Sequence, residues 1–272
     1  MKVSVVITSF KEPETIGGAV EAVLDQADQV IVVAPDKETL LAARRKGVEL
    51  YQDQGKGKSL ALNLAFTKVK HKFVVLTDGD VSVEKKAISF LLKPFVDSKI
   101  GIVSGRPVPT NDKKTLFGFW AYLLTEAAHQ WRCRSNCFDC SGYLLAIRTN
   151  LLTKIPPGHL AEDAFLSREV LKKDFKVAYA PKAKVYVKFP SNFPDWIKQK
   201  IRSVGGAGRG WKVEIGESWR LFSFCRNPKE LFYLFLLFLA RAYLWLLIFW
   251  KLRIKKQSLK KIWQRVESTK TF

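Results

Sequence analysis

The chain has 272 residues, of which 47% are hydrophobic, and a formal net charge of +21. That length accommodates one large α/β domain with a short appendage, and that apolar content supports a packed core and excludes a wholly disordered chain. The positive surplus calls for an anionic partner, whether nucleic acid, lipid headgroups or phosphorylated substrates, and composition alone does not choose among them.

The chain opens on Val3–Thr8, a β-branched run too short for a signal-peptide core and with no small-residue cleavage site behind it. It reads as a buried first strand, and the domain it begins is expected to stay in the cytoplasm. Residues 14–26 carry Ile16, Val20, Val23 and Leu24 at helical spacing, 29–33 form a second apolar run, and 37–46 a helix. A short strand at 48–51, a helix at 59–69, a buried strand at 73–77, a helix at 84–95 and a strand at 100–104 follow. Short apolar strands separated by helices predict an α/β fold with a doubly wound, mostly parallel sheet, whose ligands sit beyond the carboxyl ends of the strands. Residues 113–134 are helical in pattern and rich in aromatics, and 141–147 are strand-like. The segment 161–173 is an amphipathic helix with Phe165, Val170 and Leu171 inward. Strands at 176–180 and 184–189, a helix at 193–204 and a glycine-rich stretch at 205–211 complete the globular part.

Residues 231–250 differ from the rest. They are apolar or aromatic apart from Arg241, and long enough to cross a ~30 Å bilayer core. Arg226 and Lys229 precede the run, and Lys251, Arg253, Lys255, Lys256, Lys260 and Lys261 follow it. A single span would carry that basic tail away from the cytoplasm, against the positive-inside preference. It would also bring Arg241 to the bilayer centre at a cost of ~2.5–3.5 kcal/mol. A helix lying in the interface, or a re-entrant hairpin, with both basic flanks on an anionic membrane surface satisfies both facts. The expected organisation is an α/β domain over 1–225, a membrane segment over 226–250 and a basic amphipathic tail over 251–272.

Three motifs carry chemistry. The strand 73–77 runs into Asp78-Gly79-Asp80, two carboxylates at a strand end, suited to a hard divalent cation that also meets phosphate oxygens. Glu162-Asp163 opens the helix near 161, where an acidic pair by itself would serve as a cap. Gly55-Lys56-Gly57-Lys58-Ser59 is a basic glycine loop opening a helix, able to receive phosphate or a nucleotide edge, and without the spacing of a P-loop.

The order Val5-Val6-Ile7-Thr8-Ser9-Phe10-Lys11-Glu12, then Gly55-Lys56-Gly57-Lys58 with Ala61-Leu62-Asn63, then Asp78-Gly79-Asp80, Ser141-Gly142 and Glu162-Asp163 resembles glycosyltransferase family 2 with the GT-A fold, over about residues 3–211. The resemblance implies a nucleotide-sugar donor, Mg2+ or Mn2+, and inversion at the anomeric carbon. By position it sets Ser9 and Glu12 near the nucleoside, Asp36 near the base, Lys58 in the glycine loop, Asp78 at the ribose or metal, and Asp80 at the metal bridging the diphosphate. Asp163 matches the catalytic base, with Glu162 beside the acceptor or diphosphate. The implied acceptor is a lipid-linked or cell-envelope glycan near the membrane; an ionised lipid phosphate would need no base.

Departures accompany the likeness. Thr8 stands where the family has proline. Gln199 and Arg202 keep two positions of a Gln-x-x-Arg-Trp motif and are candidates for acceptor or diphosphate, but Ser203 replaces the tryptophan, which argues against long-polymer synthesis. Val187-Lys188 occupies the place of a histidine, so no third metal ligand is evident, and Lys188 would meet phosphate instead. Cys133, Cys137 and Cys140 have a CxxxCxxC spacing that would suit an iron–sulfur or zinc site together with Cys225, with buried thiols as the default. His71 and His129 read as surface or helix residues, and His159 as a loop residue within reach of the acceptor. The rival readings are a nucleic-acid-binding protein, prompted by the charge but lacking any recognised motif, and an inactive membrane scaffold of the same family.

Overall fold

The computed structural model describes residues 1–135, 139–207, 218–250 and 266–269. By compactness one unit comprises Met1–Val108 and Trp131–Lys188, and the other Pro109–Gln130 and Phe189–Thr269.

The first unit is built on a sheet of eight strands in the order β3-β2-β1-β4-β7-β6-β8-β5. These are β1 (Val3–Thr8), β2 (Gln29–Ala34), β3 (Val48–Gln52), β4 (Phe73–Asp78), β5 (Val81–Val83), β6 (Ile100–Pro109), β7 (Leu144–Arg148) and β8 (Lys176–Val187). β3, β2, β1 and β4 are parallel, β7 is antiparallel to both β4 and β6, and β5 is antiparallel to β8. All six residues of β1 and of β2 are buried, as in strands covered on both faces, which is why they read as unbroken apolar runs. The covering helices are α1 (Ile16–Leu24), α2 (Lys37–Ala42), α3 (Lys58–Phe66), α4 (Ala87–Leu92) and α6 (Glu162–Lys172). α1 turns Ile16, Ala19, Val20 and Val23 inward at the spacing of one helical face. The chain winds β1-α1-β2-α2-β3 to one side and then returns to set β4 on the other side of β1. That reversal makes a crevice at the carboxyl edge of β1 and β4, where such sheets bind ligands.

Three details depart from expectation. β5 is too short to stand out in sequence and exists because it pairs with β8. The two strands expected at 176–180 and 184–189 are one strand, β8, despite Pro181. In α6 the fully inward residues are Ala164, Leu166, Ser167 and Val170, while Phe165 and Leu171 are only partly buried against the core.

The second unit contains α5 (Leu116–Arg134, which runs on into the first), α7 (Phe193–Ala207) and α8 (Pro228–Phe249). Its core gathers Phe119, Trp120 and Leu123 of α5, Trp196 and Ile201 of α7, and Leu234, Leu237 and Leu244 of α8. The Trp120 indole N–H donates to the Tyr233 carbonyl at 2.8 Å, a partner that lets a large ring be buried without leaving its polar atom bare.

Candidate active site

Thr8 lies directly opposite Asp78 in the β1–β4 pairing, so the chain leaves both strands at the same edge. After β1 the backbone turns at Lys11, whose φ is 55°, and Ser9 and Glu12 fold inward. Ser9 Oγ donates to Glu12 Oε2 at 2.6 Å, and the Glu12 N–H donates to Thr39 Oγ1 at 2.9 Å. Both Ser9 and Glu12 are buried. Asp36 caps α2 by accepting the Thr39 N–H at 2.9 Å and takes the Lys11 N–H at 3.0 Å. Burial alone would raise the Asp36 carboxyl; its bonds with Thr39 and Lys11 outweigh that and hold it below the ordinary value. Asp36 thus shapes the loop that carries Ser9 and Glu12.

β4 delivers Asp78, and the Gly79 N–H donates to the Thr8 carbonyl at 3.0 Å. A Cβ at position 79 would stand 2.5 Å from Ser9 Oγ and 3.0 Å from Glu12 Oε2. Glycine is therefore required for the two loops to close on each other. Asp80 follows and Val81 opens β5, paired with Val187, the residue before Lys188.

Lys58 is the first residue of α3, after Gly57 with its φ of 113°. Its ammonium forms an ion pair with Asp78 Oδ1, the two side chains being 35% and 21% exposed. Burial would push this ammonium down, but the charges of Asp78, Glu162 and Asp163 outweigh it and hold it well above its ordinary value. One cation therefore senses both the end of β4 and the start of α6.

α6 begins with Glu162 and Asp163. Asp163 Oδ1 accepts the Ala164 N–H at 2.9 Å, and the Gly142 backbone also hydrogen-bonds the carboxyl. A Cβ on Gly142 would lie 3.2 Å from Asp163 Oδ2, so the turn before β7 is folded tightly against this carboxylate. Burial raises the carboxyls of both Glu162 and Asp163, with Lys58 pulling the other way. Both remain half-buried by exposure. Acidic groups perturbed in this way are candidates for proton transfer.

Asp78 and Asp80 carry hard oxygen donors of the kind that Mg2+ or Mn2+ takes. Among the described residues no group of three or more His, Cys, Asp or Glu side chains is arranged to hold a metal by itself. The donor set fits a cation that completes its shell from diphosphate oxygens and water, as Mg2+ does in nucleotide sites.

The other sequence candidates sit on other elements. Gln199, buried, and Arg202, partly exposed, are on α7 of the second unit. Cys133 is exposed and not a buried thiol; Cys140 is buried, and burial pushes its thiol up to about 12, against a metal-binding thiolate. Cys137 falls outside the described residues. His159 packs against Phe165, ring centroids 5.2 Å apart. His71 lines an open cavity of ≈ 720 Å³, with Lys70, Lys72 and Arg148, at the edge where β4 begins, away from Asp78. The Arg148 guanidinium there donates to the carbonyls of Phe95, Asp97 and Ile100 and lies over the rings of Phe73 and Phe95, a structural role. Sequence reasoning missed Thr39, fully buried and holding Glu12; the Asp36-x-x-Thr39 capping pattern was its available signal. It also missed the β5–β8 pairing, which sets Val187, just before Lys188, opposite Val81, just after Asp80.

Residues 1–206 match the family described as glycosyltransferase like family 2. The chain belongs to that family. This family 2 chain is 28% identical over 162 residues to the probable glycosyltransferase YdaM of Bacillus subtilis (strain 168), covering 56% of itself and 38% of that protein. It is 24% identical over 206 residues to the O-antigen chain rhamnosyltransferase RfbN of Salmonella typhimurium, covering 68% of itself and 66% of that protein. It thus spans well under half of the first relative's length. Its fold also matches that of glucosyl-3-phosphoglycerate synthase from Mycobacterium tuberculosis, solved with Mn2+, uridine diphosphate and phosphoglyceric acid. The TM-score is 0.52 at 18% identity, over 77% of this chain and 79% of that one. The likeness establishes the GT-A-like architecture.

Proposed function

We propose that the protein transfers a sugar from a nucleotide-sugar donor to a membrane-proximal acceptor, lipid-linked or part of a cell-envelope glycan, with inversion at the anomeric carbon and with its catalytic unit in the cytoplasm. The observation that carries this reading is the Lys58 ammonium, paired with Asp78 and raised by Glu162 and Asp163: the strand-end acid and the helix-start acids act on one cation, as transfer between a diphosphate and an acceptor demands. The Mn2+ in the neighbouring synthase supports a divalent metal, Mg2+ or Mn2+, at Asp78 and Asp80. Such an ion would supply charge stabilisation for the departing diphosphate. The chain's own residues do the rest. Ser9 and Glu12 lie on the loop that receives the nucleoside, Asp36 braces that loop near the base, and Lys58 offers its charge to the diphosphate. Asp163, held at Oδ1 by the Ala164 N–H, accepts the proton of an attacking hydroxyl, a task favoured by its raised carboxyl. Glu162 lies beside it for the acceptor. Gln199 and Arg202 are candidates for acceptor or diphosphate by sequence position alone.

The test is a donor screen by nucleoside-diphosphate release, with Mn2+ or Mg2+ and with membranes or lipid phosphates as acceptors. Metal-dependent release from one donor, lost in Asp80→Ala, is the expected result. No release from any common nucleotide sugar would instead favour an inactive scaffold.

A further inference from the structure

The second unit carries a surface that sugar transfer does not use. α8 turns Leu234, Leu237, Ala240, Leu244 and Ile248 into that unit's core. Its other side shows Phe232, Phe235, Leu239, Tyr243, Leu246 and Phe249, each at least 48% exposed. At 3.6 residues per turn the two sets are centred on opposite sides of the helix. With Leu231 and Trp250, the outer set leaves on the order of 800 Å² of apolar surface open, above the ~300–600 Å² of the largest patch on a typical soluble monomer. It contains no charged residue. Arg241 falls on the inward side, between Ile248 and Leu234 in the helical rotation.

Two observations orient this helix against a bilayer. The inward stripe runs from Leu234 to Ile248, ~21 Å of helix, so protein flanks almost all of α8. A helix crossing a ~30 Å core would drag those neighbours, and the charged α7 beside them, into hydrocarbon. Second, the segment 266–269 returns to the start of α7, where the Ser268 N–H donates to Asp195 Oδ2 at 3.0 Å. Residue 268 and the start of α7 are therefore on one side of any membrane. One crossing by α8 would separate them, and residues 251–265 are too few for a returning helix of ~20.

We infer that α8 lies parallel to the surface of an anionic bilayer, its Phe232, Phe235, Leu239, Tyr243, Leu246 and Phe249 stripe sunk in one leaflet and its opposite stripe held by the protein. Charge selects the lipid: exposed Arg226 precedes the helix, exposed Lys229 lies in its first turn, and six further basic residues follow it between Lys251 and Lys261. The inference deepens the membrane part of the proposed function and is independent of its chemistry, because vesicle binding and nucleoside-diphosphate release are read separately.

The experiment uses the full chain with a fluorescent amino acid placed singly at position 232, 239 or 246. It is bound to phosphatidylglycerol–phosphatidylcholine vesicles and quenched by lipids labelled at shallow and deep positions. Equal depths for the three sites, ~5–10 Å below the headgroup boundary, are expected; a spread of ~21 Å between 232 and 246 means a crossing helix and overturns the inference. Phe235→Glu with Leu239→Glu, both at exposed positions and checked for fold by circular dichroism, should weaken partition about a hundredfold. Unchanged partition of the folded variant overturns the inference. Pure phosphatidylcholine should bind more than about tenfold more weakly at low salt, and equal binding overturns the choice of an anionic surface. A parent chain that ignores vesicles but forms a dimer which the double variant dissolves would assign the stripe to a second copy, and sink the proposal.

Discussion

Lys58 offers a test of the site's electrostatics by one substitution. Lys58→Met removes the ammonium and keeps an unbranched stem. Two unit charges ~4 Å apart attract by ~4 kcal/mol at an effective dielectric of ~20. Lys58 and Asp78 are 35% and 21% exposed, so solvent screens much of this, and a net loss of ~1–2 kcal/mol is expected. At 1.4 kcal/mol per decade, kcat/KM for nucleoside-diphosphate release should fall about 5–30-fold. The substitution also has a pH signature. Lys58 holds down the carboxyls of Glu162 and Asp163, which burial has already raised, so without it both rise further. A general base works ionised, and activity is lost as pH falls through its pKa; the acid limb of the profile should therefore move to higher pH. Lys58→Arg keeps the charge and should keep the limb near the parent's. Release measured at saturating Mn2+ or Mg2+ across the acid half of the profile reads both effects. An unchanged kcat/KM with an unmoved limb would refute the reasoning.

Asp80→Ala should lower the metal-dependent rate by at least about a hundredfold and abolish saturation by added metal, as read by titration with Mn2+; a normal metal response would move the cation elsewhere. Asp163→Asn should keep donor affinity, measured by calorimetry, while transfer to a hydroxyl acceptor drops ~10²–10⁴-fold. Near-normal turnover would remove the base assignment and favour an acceptor that arrives ionised. Gly79→Ala places a methyl 2.5 Å from Ser9 Oγ and should cost ~1–3 kcal/mol in denaturant unfolding with an unchanged slope; a variant as stable as the parent would contradict the close packing of the two loops.

Much of the first unit was legible because its strands are buried on both faces. Such strands appear as unbroken Val/Ile runs, and alternation with helices then dictates a mostly parallel sheet. The Asp78-Gly79-Asp80 and Glu162-Asp163 pairs were legible for a related reason: each sits where a predicted element begins or ends, the positions to which a doubly wound sheet assigns ligands. β5 was not legible. Three residues carry too little pattern, and the strand is held by a partner more than a hundred positions away. The inward set of α6 was misjudged because an amphipathic pattern fixes a face only to within a residue or so, and packing chooses.

The amino-acid order by itself determined the winding of the sheet, the identity of the acids and the apolar character of α8, since each depends on short-range spacing and on which side chains water rejects. Only the tertiary structure decided that Lys58 feels Asp78, Glu162 and Asp163 together, that Glu12 is braced by Ser9 and Thr39, and that α8 divides into an inward and an outward stripe. Those relations join residues distant in the chain, and the energy of a charge or an apolar surface depends on what stands around it in space.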